Sequence, residues 1–339
     1  MKQLWIFVCT MIFIACQSNT AQNNKKSLKD MQKSPPITAV ATSDSITYNN
    51  YYDQMVKAVK HYPEEPVYMV YVNNEQCYYE LLVNDMPVAE YFDQGKRMSP
   101  YYINSNILKS GKQTLTYRIY PETGRGMMTL GDYTSIGIDI GVIDQKKGFK
   151  ASNMDTVMVH QSLKTPDGKH FIASGKDYYE YTFEFEAKVP YNEIGLAKSK
   201  DLRKMDQKEL LHKTEEAYHY LAELIRNKDK DQFARLNFNA VVRQYINGYD
   251  TPDMIKDSFT ILHDWFYDKT LKVNPLKDYS LKFYGEGRVV SLILNSKVAL
   301  YRNSSALSGN YIDEDGDEAV QFFRILLHIP EGKDSFEVF

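Results

Sequence analysis

The densest groups of chemistry-bearing side chains lie in the second half of the chain. His212, Glu216 and His219 recur at i, i+4 and i+7. On a helix, at about 100° per residue, they share one arc and could converge on a metal ion. The same wheel sets Leu210, Ala217, Leu221 and Ile225 opposite them, and no HExxH is present, so the pattern reads as a solvated polar face. Asp313, Glu314, Asp315, Asp317 and Glu318 surround Gly316 in the densest acidic run. A calcium loop of the EF-hand type needs Gly at its sixth position, where Glu318 stands, so a charged turn between strands is expected. These five acids are candidate partner-binding residues. Gly124-Arg125-Gly126 could offer N–H groups and a guanidinium to an anion, but a lone tripeptide of this kind reads as a connection. Tyr178, Tyr179 and Tyr181 could stack on a sugar or a partner's side chains and are further candidates, although strand alternation sends about half of such rings into a core. No GxSxG, SxxK, CxxC or Walker loop occurs. No catalytic residue, cofactor or metal is assigned. A non-enzyme is favoured, with the reservation that a triad assembled across a fold leaves no linear motif.

The first residues, MKQLWIFVCTMIFIAC, set the address. Lys2 precedes a run, residues 4–15, that is apolar but for Thr10. As a helix it rises about 18 Å, short of the roughly 30 Å of a bilayer core, so it suits a secretory leader. Phe13-Ile14-Ala15-Cys16 resembles the lipobox of bacterial lipoproteins, with Phe13 where that family prefers Leu. The resemblance implies lipidation at Cys16 and a bilayer partner held through the acylated residue. Gln17 is not the Asp of an inner-membrane retention signal, which implies the outer membrane, facing the periplasm or the cell surface.

Composition fits that address. The chain has 339 residues, 43% hydrophobic and 25% charged, enough for cores of ordinary size. A net charge of −3 gives no electrostatic case for nucleic acid. Of three cysteines, Cys9 would leave with the leader and Cys16 would be acylated, so Cys77 has no partner for a disulfide and reads as a buried, inert thiol. Tyr, at 27, is abundant and favours strands and half-buried surfaces.

The elements that must position the candidates follow from periodicity. Residues 17–44 are polar, with Pro35-Pro36, and read as a flexible tether reaching about 30 Å. A short amphipathic helix is expected at 48–61, covering a sheet. From 67 to 189 the pattern is β, with strands at 67–72, 76–83, 88–92, 101–108, 113–120, 135–143, 156–160 and 178–189. Ile136, Ile138 and Ile140 repeat with period two, as do Phe183, Phe185 and Ala187. One dry and one wet face argue for an antiparallel β-sandwich over residues 45–193. Val83-Asn84-Asp85 followed by Asn106 to Leu115 resembles the strand–Gly-turn–strand passage of jelly-roll domains, which implies a jelly-roll or Ig-like sandwich and no sugar site. Residues 194–205 lack periodicity and are expected as a linker.

Beyond it, helices are expected at 206–226, 232–236 and 240–246. Another starts at Thr251-Pro252-Asp253, with Ile255, Phe259, Leu262 and Trp265/Phe266 on its buried face. Strands at 279–284, 288–294, 298–301, 319–329 and 336–339 complete an α+β domain, 206–339, with helices on an antiparallel sheet. This element order is similar to nuclear-transport-factor-like and cystatin-like domains, which implies a pocket between helices and sheet. Together these readings describe a two-domain, envelope-anchored protein that binds another protein, of the design an immunity protein against a periplasmic toxin would have. The alternative is an enzyme or small-ligand carrier using a pocket in the C-terminal domain.

Overall fold

The computed structural model describes residues 35–93, 99–257 and 268–339. The leader, Cys16, most of the expected tether and the buried face expected beyond Asp257 lie outside the described residues. Among those described, fifteen strands form four antiparallel sheets, and helices are few.

Two four-stranded sheets come from the first half. One has the order β4 (Tyr101–Tyr102), β1 (Pro66–Glu75), β6 (Ser135–Asp144), β7 (Met154–Gln161). The other runs β3 (Met86–Tyr91), β2 (Cys77–Val83), β5 (Lys109–Pro121), β8 (Tyr179–Asn192). Their apolar residues meet in one core that includes Ile138, Ile140, Leu81, Leu115, Ile119 and Phe185. The β2–β3 turn is Asn84-Asp85, with φ of 52° and 58°, the paired left-handed residues of a type I′ hairpin. Asn84 also ties the two passages that resemble a jelly roll. Its amide donates to Asn106 O and to Gln113 Oε1, both at 2.8 Å, and its Oδ1 accepts from Thr114 N. The strand expected over 101–108 stops at Tyr102, because Asn104 takes over the pairing: its Oδ1 accepts from Tyr68 N at 2.7 Å and the chain turns into a 3₁₀ helix, Asn104–Asn106.

The second half starts with α2 (Gln207–Arg226) and α3 (Lys230–Gly248). Asp206 caps α2, its Oδ1 accepting from Lys208 N and Glu209 N. The two short helices expected at 232–236 and 240–246 are one. Asn237, in the expected gap, is helical and buried, and its side chain bonds back to Phe233 O at 2.8 Å. The helix expected at 48–61 is shorter, α1 (Tyr51–Ala58), and packs on α3 rather than on a sheet: Met55 is buried with Ala234 and Phe238, and Tyr51 meets Phe238 edge-on.

The remaining strands form a three-stranded sheet, β13 (Glu318–Phe322), β12 (Ser308–Ile312), β9 (Lys272–Val273), and a four-stranded one, β10 (Tyr279–Tyr284), β11 (Val289–Leu294), β14 (Leu327–His328), β15 (Glu337–Val338). The expected strand at 298–301 is instead a 3₁₀ turn, and 319–329 divides between two sheets. Tyr218 fixes α2 to this layer: its hydroxyl donates to Ile325 O and accepts from Leu292 N, both at 3.0 Å. Ile37 is fully buried in the same core and pairs with Phe336, so the packed body already includes residues that read as tether. Residues 194–205 are bonded along their length, Lys200 N to Ile329 O and Leu202 N to Gly287 O, with Leu202 fully buried.

A charged seam links β2 to the C-terminal strands. The register places Glu90, Glu80, Arg118 and Glu180 side by side across β3-β2-β5-β8. Lys282 from β10 lies 3.2 Å from both oxygens of Glu80, Asn303 donates to it, and Arg324 pairs with Glu90. Beside them Leu82, Met86, Tyr284 and Val289 form a small apolar cluster.

His328 makes this layer acid-sensitive. It is held mainly by burial, helped by Arg243 and Lys333, at a pKa lowered from 6.5 to about 4, with Ser199 Oγ 2.8 Å from Nδ1. The unfolded chain takes up this proton as pH falls through 6.5, and the folded chain does so only near 4. Stability is therefore lost between those values, by about 3 kcal/mol. Urea titrations at pH 7 and 4.5 should show a loss in the wild type that His328→Gln reduces by at least half. An equal loss in both would remove His328 from the account.

Candidate functional site

The two first-half sheets end side by side at β7 and β8, and among the described residues neither strand has a partner on its outer edge. Edge strands expose unpaired N–H and C=O groups and are commonly blunted by brevity, charge or proline. β4 is two residues long, β3 contains Pro87, and β8 carries Glu180, Glu184, Glu186, Lys188 and Pro190. β7 spans eight residues, MDTVMVHQ, whose one charge is Asp155. Val159 on it is 59% exposed, and past its end Leu163 and Ile172, joined by a backbone bond, are exposed too. Behind the edge, His160 stacks on Tyr181 and Phe183 at 5.0 and 4.6 Å between ring centres, and its Nε2 lies 3.1 Å from the Tyr117 hydroxyl. Burial lowers the His160 pKa, so this ring is neutral at pH 7. The result is an unprotected strand edge on a stiff aromatic base, able to accept an extended segment by backbone pairing.

A second concave feature is a cavity of about 810 Å³ between the 3₁₀ turn after β4, the start of β3, α3 and the last strands. Arg243 and Arg324 line it, with Gln145, Asp250, Tyr102 and Phe149 among the other walls. Arg243 sets its guanidinium carbon 3.8 Å from the centre of the Phe339 ring and approaches Glu193 at 3.5 Å.

No family model matches this chain. No curated protein and no solved structure is similar to it either.

The sequence-derived candidates distribute as follows. Tyr178, one residue before β8, donates to Glu180 at 2.7 Å, whereas Tyr179 and Tyr181 face the shared core, against Tyr117. They do not form one surface. Asp313, Glu314, Asp315, Asp317 and Glu318 sit in or beside the β12–β13 turn. Asp313 Oδ1 is occupied by its own loop, accepting from Asp315 N and Asp317 N, and Glu318 accepts from Asn310, while Glu314, Asp315 and Asp317 are exposed. Asp315 and Asp317 therefore offer a charged rim rather than a converging cage. His212 and Glu216 lie 3.5 Å apart on the exposed side of α2. Among the described residues no three His, Cys, Asp or Glu side chains form a metal-holding group. Gly124 N donates to Tyr78 OH at 3.0 Å and Arg125 is drawn to Glu122, so the Gly124–Gly126 backbone serves a turn. Cys77 is buried, which pushes its thiol up to about 12.

Val159, Arg243 and Asp250 were missed in the sequence. Val159 sits in a strand that reads like its neighbours. Nothing local marks Arg243 and Asp250, whose setting comes from distant segments.

Proposed function

We propose that this chain is a membrane-anchored, non-enzymatic protein-binding lipoprotein of a Gram-negative envelope, acylated at Cys16, and that the outer edge of β7 receives the partner. The open edge, long, nearly uncharged and flanked by Val159, Leu163 and Ile172, carries the reading. A protein that must stay dispersed does not leave such an edge bare without a use for it. The acidic Asp315 and Asp317 rim is a secondary contact that speeds association with a basic partner. An immunity protein neutralising a periplasmic toxin is the specific form this design suits.

The proposal includes its architecture: a jelly-roll or Ig-like sandwich over 45–193 and an α+β domain over 206–339. What supports it is the partition of apolar residues. One core draws its members from Val67 to Tyr191 with Tyr249 added, and another joins α2 to β11, β14 and β15.

The experiment is site-specific photo-crosslinking in the native envelope, with the reactive residue at position 159 or, as control, at 186 on the outer face of β8. One discrete protein adduct is expected from 159 and none from 186. Cys16→Ser should shift the protein out of the detergent-extracted membrane fraction and lose the adduct if the partner is met there. Equal adducts at both positions, or none at 159, would sink the edge reading. A Cys16→Ser protein still fully membrane-bound at high salt would sink the anchor.

The cavity supports the second reading, a small-ligand carrier. It lies between the two halves rather than within the C-terminal one, where the pocket was expected.

A further inference from the structure

We infer that the cavity between α3, the β4 turn and the last strands is a binding site for a small organic carboxylate with an apolar body. This rests on the second reading, the small-ligand carrier, and does not depend on the protein-binding one. Arg243 is the anchor. Its side chain is mostly covered, with the guanidinium over the Phe339 ring. Its counter-charge is incomplete. Glu193 stands 3.5 Å from Nε, too long for a charge-assisted hydrogen bond. Burial pulls Arg243 below the ordinary guanidinium value despite Glu193, and burial holds Glu193 above the ordinary carboxylate range despite Arg243. A ligand carboxylate placed on the guanidinium fork would supply what Glu193 does not. Arg324, held by Glu90, stands at the same wall.

The opposite character of the other walls defines the rest of the ligand. Tyr102, Phe149, Met254 and Leu326 offer apolar contact. Gln145 donates its amide to Tyr249 O at 2.8 Å, which fixes this polar side chain in the wall. Asp250 sits at the same rim, pushed up by burial to about 6. Its charge at neutral pH disfavours a multiply charged anion such as a phosphate ester and leaves a monocarboxylate as the fitting class. A volume of about 810 Å³ lies within the range of sites for small molecules.

The test uses calorimetry on the full chain with phenylacetate and 4-phenylbutyrate, each against its neutral amide. At least one carboxylate should bind about tenfold or more tighter than its amide, the worth of one charge-assisted hydrogen bond. Arg243→Gln should erase the difference, Arg243→Lys should retain part of it, and Asp250→Asn should tighten binding. If Arg243→Gln fails to fold, judged by its thermal midpoint, Arg243→Lys and Asp250→Asn carry the test. Acids and amides binding alike, neither binding, or carboxylate affinity unchanged by every variant would overturn the assignment.

Discussion

Glu80→Ala should cost about 3 kcal/mol or more of folding stability, among the largest losses from any single surface-distant carboxylate in the chain. Glu80 is 2% exposed, yet it sits among Arg118, Lys282 and Asn303. Removing it leaves Lys282 buried without a counter-charge, and burial already lowers the pKa of that ammonium even with Glu80 present. Arg118 would keep Glu180, at 2.5 Å, so the damage should concentrate on the β2–β10 contact. Lys282→Met in the Glu80→Ala background should therefore recover a good part of the loss, since an apolar pair can replace a buried ion pair at little cost. The measurement is urea denaturation of the four proteins of the cycle. A single-mutant loss below about 1 kcal/mol would show the seam to be solvated and weak.

Asn104→Ala should be comparably damaging, by about 3 kcal/mol. The side chain is 3% exposed and makes three strong bonds: Oδ1 accepts from Tyr68 N at 2.7 Å, and the amide donates to Pro66 O and to Asn247 O at 2.8 Å. Alanine leaves a buried donor on β1, a buried acceptor at Asn247 O and a part-buried one at Pro66 O without this partner, each costing about 1 kcal/mol. Asn104 also connects β1 to the end of α3, so hydrogen exchange should accelerate at the Tyr68 amide and at the last turn of α3 together. Acceleration at Tyr68 alone, with α3 unchanged, would mean that the Asn247 bond contributes nothing.

What the sequence disclosed, and what it hid, follows from the range of each interaction. Period-two alternation in Ile136, Ile138 and Ile140 is local, so the strands of the first half were legible to within a few residues, except that expected over 101–108, which ends at Tyr102. So was the start of α2, where Asp206 caps its own helix. The continuity of α3 was hidden, because the bond from Asn237 to Phe233 O that carries the helix through two asparagines is invisible to a propensity argument. β9 and β12 were hidden as well. Lys272-Val273 is too short to show a period, and Gly309 breaks the pattern of β12 while allowing Leu271 and Lys272 to approach closely. The candidate site was less legible than the fold. Edge status depends on strand order, and β7 alternates no differently from β6. The cavity needed residues from Tyr102 to Leu326 to meet, and no spacing in the chain encodes that meeting.

Ile37 and Phe336 also set a clock. Thr38 and Phe336, bonded in the folded protein, are 298 residues apart. At roughly 5–20 residues per second, on the order of 15 to 60 s separate the appearance of the two segments during synthesis. The core drawn from Val67 to Tyr191 has almost all its members within the first part of that interval, and only Tyr249 arrives later. The core that receives Ile37 waits for Val338. For the whole of that interval the Ile37 segment, and for roughly its last third the apolar side of α2, have nothing to close against. In the order in which the chain emerges, the first two sheets have their partners before the core that takes Ile37 is complete.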